Sequence, residues 1–264
     1  MAVAQYGIQQ FLVFLLVVFR LSGLMIFAPV WGSRNILDQW KIAFALVVAS
    51  LVAPLVPSPP SLPRDLLPLG LLAVKELGVG LVLGYAASLL FTGVQLAGQM
   101  ASQQMGQGLA NIMDPFTETE SSVIGEFQFF LAVVIFLAIN GHHMLLRAVT
   151  GSFDRIPLGG MVLNVTATRE IVRLFGDVFV IAIRISAPVV VALFVTTVAL
   201  GFVARTVPQV NILVIGFPVQ IVVGFVVLGV STAYLAEPLV DMFRDQFRMI
   251  EGMVRMMAPG SGAP

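Results

Sequence analysis

Four charged residues stand inside otherwise apolar stretches: Arg20, Lys75, Glu76 and Arg184. At the centre of a bilayer each would cost about 2.5–3.5 kcal/mol on insertion scales, so such residues usually face a bundle interior and pair. Lys75 and Glu76 are neighbours in sequence, point to different faces of a helix and cannot simply neutralise each other. Glu76 therefore needs a distant cation, with Arg20 and Arg184 both available. Two chemistries follow from such a set. Buried ion pairs would fix packing, and a proton relay would move charge. The first is the expectation here. His142 and His143 are adjacent, which on a helix sets them about 100° apart and makes no chelating pair. There is no cysteine, no HExxH, no GxSxG elbow and no phosphate-cradling glycine loop. No catalytic, cofactor or metal site is expected.

A second polar feature is uncharged. Gln95, Gln99, Gln103, Gln107 and Asn111 recur every fourth residue, beside Gly98, Ser102, Gly106 and Ala110 at the same spacing. On a helix this makes a carboxamide ridge next to a small-residue groove. Unpaired amides are costly in lipid, so the ridge must meet protein or water, and the groove admits a second backbone. The ridge reads either as a packing seam or as one wall of a polar, uncharged passage. Gly106, Gly108 and Pro115 predict that the helix breaks there.

The elements that position these residues follow from composition. Of 264 residues, 58% are hydrophobic and only 11% charged. Soluble domains carry roughly 25% charged residues, so a soluble enzyme is excluded. The 14 basic and 14 acidic residues cancel, which removes any broad attraction to nucleic acid. Six apolar runs recur: Phe11–Val30, Ile42–Val56, Leu66 past Phe91, Phe127–Leu146, Val178–Ala204 and Ile212–Leu235. Backbone groups in lipid must be satisfied internally, and these runs lack period-two alternation, so they are helices. The first run lacks a basic flank and a cleavage site, and is expected to be kept. Prolines between Val56 and Pro63 exclude helix there. The short break Thr206–Asn211 predicts a helical hairpin, with Pro208, Gln209, Asn211 and Pro218 as its turn residues.

Leu239, Phe243, Phe247, Ile250, Val254 and Met257 fall at spacings of three or four, opposite Asp241, Arg244, Asp245, Arg248, Glu251 and Arg255. That is an amphipathic helix. Its apolar ridge, with Phe243, Phe247 and Ile250 at the centre, predicts a partner-docking surface. The expected fold class is all-α: about six long apolar helices plus a C-terminal amphipathic helix, in a membrane-associated helical assembly. Lys and Arg are more numerous in the loops sharing a side with the termini, which places both termini in the cytoplasm.

Several stretches together carry a family likeness. They are Phe19-Arg20-Leu21-Ser22-Gly23 with Ala28-Pro29, and Gly98-Gln99 through Met105-Gly106-Gln107-Gly108 to Asp114-Pro115. Asn140-Gly141-His142-His143, Ser152-Phe153 with Ile156-Pro157, Pro208-Gln209-Val210-Asn211 and Gly216-Phe217-Pro218 complete the set. Their order and spacing resemble the FliR family of export-gate subunits in flagellar type III secretion, whose homologues also serve virulence injectisomes. The resemblance implies a non-enzymatic subunit of the bacterial inner membrane and flagellar basal body. It implies a hetero-oligomer with FliP-like and FliQ-like subunits, an FlhB-like component at the cytoplasmic side, and unfolded export substrates. It also implies helices lying largely above the bilayer plane. By the same likeness residues 1–177 correspond to a FliP-like part with a plug loop at about 105–120, and 178–237 to a FliQ-like hairpin. Residues 238–258 are then the C-terminal amphipathic helix. The plug and channel lining would comprise Gln99, Gln103, Met105, Gly106, Gln107, Gly108, Asn111, Met113, Asp114 and Pro115. An uncharged, soft lining suits passage of chains of any sequence. Two rival classes are a secondary transporter using Arg20, Glu76 and Arg184, and a purely structural scaffold.

Overall fold

The computed structural model describes residues 2–29, 31–32, 36–57, 63, 65–106, 122–162, 164–207, 209 and 211–259. Among them all regular structure is helical, as composition and periodicity require. The helices are α1 (Ala2–Phe27), α2 (Asp38–Val52, continued by a short 3-10 turn, Ala53–Leu55), α3 (Leu66–Gln104), α4 (Val123–Ala138), α5 (Gly141–Arg155), α6 (Val165–Thr206) and α7 (Ile212–Met256). Five of these segments are long and apolar enough to cross a membrane, or six if the bent pair α4–α5 counts as one span.

Several boundaries differ from the sequence expectation. The run Phe127–Leu146 is not one helix. It breaks between α4 and α5 at Asn140, which takes the left-handed conformation at φ 58°. Asparagine adopts that conformation more readily than other side-chain-bearing residues. The amphipathic stretch from Leu239 is not a separate helix but the last turns of the 45-residue α7. Pro238 removes only one N–H from the helical ladder, and the helix continues through it. Pro218 likewise lies inside α7 and not in the hairpin turn. Lys75-Glu76 do not interrupt α3, because straight-chain residues hold helical conformation well.

The helices distribute over two compact units, each with its own packing. The first comprises residues 1–89, 140–175 and 243–264, and the second residues 90–139 and 176–242. In the first unit, α1 and α3 approach backbone to backbone. A Cβ at Gly80 would strike the carbonyl of Arg20, and one at Gly23 would strike the carbonyl of Leu77. Only glycine permits that distance. The end of α7 also belongs to this unit: Gln246 Nε2 donates to the Ala86 carbonyl at 2.6 Å. The start of α6 is capped by Asn164, whose Oδ1 accepts from the Ala167 N–H at 2.6 Å and whose Nδ2 donates to the Met256 carbonyl.

In the second unit, α4 is capped by Ser122, whose hydroxyl accepts from the Gly125 N–H at 3.1 Å. Gly98 faces the backbone of Gly125, so the small-residue groove seats α4. Residues 176–206 of α6 and 212–242 of α7 form the predicted hairpin. Gln220 Nε2 donates to Thr197 Oγ1 at 3.1 Å, and Leu193 and Leu228 share one core cluster.

Candidate functional site: a buried charge knot and the elbow after α3

The first site grows from the Gly80 approach. Because α1 can lie against α3 there, Arg20 comes level with Glu76, one helical turn before Gly80. Both side chains are fully buried, at 0% exposure. Arg20 Nε donates to Glu76 Oε2 at 2.6 Å. Its Nη1 donates to Ser152 Oγ at 2.9 Å and its Nη2 to the Ile156 carbonyl at 3.0 Å. The guanidinium carbon lies 4.0 Å from the centroid of the Phe153 ring. Ser152 Oγ in turn donates to the Val149 carbonyl at 2.6 Å. The second carboxylate oxygen of Glu76 accepts the Gly159 N–H at 2.7 Å, where Gly159 turns the chain at φ 75°.

This arrangement saturates both charges. A planar guanidinium with five donors in a fixed fork suits three separate acceptors and an aromatic face at once. The knot ties α1, α3, α5 and the turn after α5 into one body. Of the two cations available to Glu76 in sequence, Arg20 takes it. Lys75 and Arg184 were expected to be buried charges and are not. Lys75 is exposed, its Nζ reaching the Gly159 carbonyl at 3.4 Å, and Arg184 is exposed on α6. The long stems of these residues let the charged heads stay outside the packed interior.

The second site is the elbow where α3 ends. Met105 is fully buried among Ala101, Ile124, Val189, Leu193 and Leu228. Gly224 on α7 has no side chain, and the Met105 thioether occupies that space. Gly106 follows at φ 83°, with the Phe217 ring against the place a Cβ would take. The helix therefore stops at the predicted glycine, in a conformation that glycine adopts without strain. Gln99 is half-buried and Gln103 exposed. Ser102 is buried beside Gly98, so the groove packs while the amide ridge turns outward. Gln107, Gly108, Asn111, Met113, Asp114 and Pro115 lie outside the described residues, as does Pro208. Gln209 and Asn211 are exposed between α6 and α7, and the Asn211 carbonyl accepts the Val214 N–H at 3.1 Å.

The docking expectation for the C-terminal ridge is overturned. Phe243, Phe247 and Ile250 are buried, at 1%, 7% and 0% exposure. The ridge packs into the first unit of this same chain. The periodicity was legible, but periodicity does not distinguish an internal partner from an external one. Sequence reasoning also passed over Ser152, Phe153 and Ile156 as partners of Arg20. Their signal was their presence, with Arg20, among the stretches that carry the family likeness.

Comparison with known proteins bears on what the two sites serve. The profile of the family described as bacterial export proteins, family 1, matches residues 11–246, and so includes Arg20, Glu76, Ser152 and Met105. The chain belongs to this family. It is 40% identical over 231 residues to the flagellar biosynthetic protein FliR of Bacillus subtilis, covering 86% of this chain and 89% of that one. The flagellar biosynthetic protein FliR of Escherichia coli is 27% identical over 240 residues, covering 89% and 90%. That of Aquifex aeolicus is 23% identical over 248 residues, covering 94% and 96%. The likeness thus runs through both compact units. With its five or six span-capable helices, the chain has the make-up of a multi-pass membrane protein.

Proposed function

We propose that this chain is a non-enzymatic core subunit of the flagellar protein export apparatus in the bacterial inner membrane. With FliP-like and FliQ-like partners it forms the channel through which unfolded flagellar proteins leave the cytoplasm, and an FlhB-like component sits at the cytoplasmic side. The observation that carries this reading is the 40% identity, over most of both chains, to a flagellar biosynthetic protein FliR. In this reading residues 1–177 are the FliP-like part, 178–237 the FliQ-like hairpin and 238–258 the C-terminal extension.

The elbow supplies the gate. Met105 anchors the end of α3 in an apolar cluster, and the chain leaves from Gly106 into residues 107–121, which contain Gln107, Gly108, Asn111, Met113, Asp114 and Pro115. A methionine in an apolar socket holds by soft, non-directional contacts. An anchor of that kind suits a seal that must open for a passing chain. The charge knot is the opposite device, a fixed strut that keeps the first unit rigid.

The test is deletion of Gly106 to Asp114 in cells that make the whole complex. The subunits should still co-purify, and the membrane should leak ions or a small impermeant compound. An assembled deletion complex as tight as wild type would show that this loop is not the seal.

A further inference from the structure

α6 shows two faces along residues 176–206. Val178, Ala182, Ile185, Val189 and Leu193 are buried against the rest of this chain. On the other side Asp177, Val180, Arg184, Ala187, Val191, Phe194 and Val198 follow one another at alternating steps of three and four. Asp177 and Ala187 are half-buried and the rest are exposed. α6 continues through Pro188, so these residues form one ridge about 30 Å long. An apolar stripe at that spacing, sustained over three heptads, has the pattern of a coiled-coil seam. Val191 and Val198 stand one and two heptads after Arg184, at the position where β-branched residues favour a pair of helices.

Arg184 interrupts the stripe, with Val180 one turn before it and Val191 two turns after. It makes no side-chain hydrogen bond or ion pair among the described residues. Neither water nor lipid suits this ridge. Water would leave Val191, Phe194 and Val198 uncovered as one apolar patch, and lipid would meet a lone guanidinium in the middle of it. A second protein helix meets both requirements if it brings a carboxylate to Arg184. Beside Arg184 a groove of about 500 Å³, lined among others by Pro188, Val230 and Tyr234, gives an acidic side chain room. A second copy of this chain is not that helix. In parallel register two such ridges would set Arg184 against Arg184, a like-charge contact. In the antiparallel register that sets Arg184 against Asp177, Val191 would face Glu170, and Val198 and Phe202 would lie beyond the start of the other α6.

We propose that this ridge of α6 docks an apolar helix of a different subunit, and that an Asp or Glu on that helix pairs with Arg184 and fixes the register. A single polar residue in such a seam specifies alignment at some cost in stability. The contact rests on the export-complex reading for its neighbouring subunit, whose presence the composition of the purified complex reports separately.

The test places a photo-crosslinking residue at Val191 or at Val198, with Arg184 intact, in cells that make the whole complex, and maps the captured peptides by mass spectrometry. Both should mark one helix of another subunit, at points about seven residues apart, with an Asp or Glu at the level of Arg184. Arg184→Glu should cut the yield from Val198 at least about tenfold, and changing the partner's acid to Arg should restore it. Capture of lipid alone, of a second copy of this chain, or of a helix without that acid overturns the site. Equal yield in Arg184→Glu and wild type overturns it too, as does failure of the reversed pair to recover.

Discussion

Replacing Glu76 by Gln perturbs the charge knot at one point and preserves its shape. The amide oxygen can still accept the Gly159 N–H, but the other arm becomes an NH₂ facing the Arg20 Nε–H. Arg20 then loses its 2.6 Å anionic partner while staying at 0% exposure. Removing one partner of a buried pair costs about 3–5 kcal/mol, because the surviving charge is left uncompensated. Against a total stability of about 5–15 kcal/mol, that is about a fifth of the whole or more. Steady-state level of the chain in membranes and its thermal aggregation temperature in detergent should both fall. The double change Arg20→Met with Glu76→Met removes both charges into an apolar surround. It should recover most of the loss, since replacing a buried pair by apolar groups is often near neutral. Arg20→Lys with Glu76 intact should also fall below wild type, because an ammonium cannot reach Glu76, Ser152 and the Ile156 carbonyl together. Wild-type stability in Glu76→Gln, or a double variant as unstable as the single one, would refute the view that the pair is a structural strut.

Gly80→Val should separate α1 from α3, because its side chain meets the Arg20 carbonyl, and should cost about 1–3 kcal/mol in the same aggregation assay. Phe247→Ser should destabilise the chain itself by about 3–5 kcal/mol, since it empties a packed site. A stable variant that had lost only a partner would contradict the internal packing. Gly106→Ala should cost about 1–2 kcal/mol through its φ of 83°, and more through the Phe217 ring, seen as faster proteolysis near the elbow.

The helical class was legible because lipid-like composition leaves few options for the backbone, and runs such as Val178–Ala204 and Ile212–Leu235 have helical length. The hairpin was legible from the short break at Thr206–Asn211. What escaped was long-range. Nothing local tells that Arg20 meets Ser152 and Ile156 more than 130 positions away, although the order of the family stretches held all three. Arg184 looked as buried as Arg20 because both interrupt apolar runs, and only packing separates a charge inside a bundle from one on its outer face. Phe243, Phe247 and Ile250 showed their ridge plainly but not its partner, which is this chain. The glycines at 23 and 80 carried the α1–α3 approach, yet in a chain with 24 glycines no spacing marked these two out.

The most direct test of the central claim is to purify the chain, tagged at its native locus, from mildly solubilised membranes and weigh the intact species. One large complex is expected, in which the chain is accompanied by FliP-like and FliQ-like subunits, with little chain outside it. A monodisperse, protease-resistant species containing this chain alone, from cells that assemble working flagella, would contradict it.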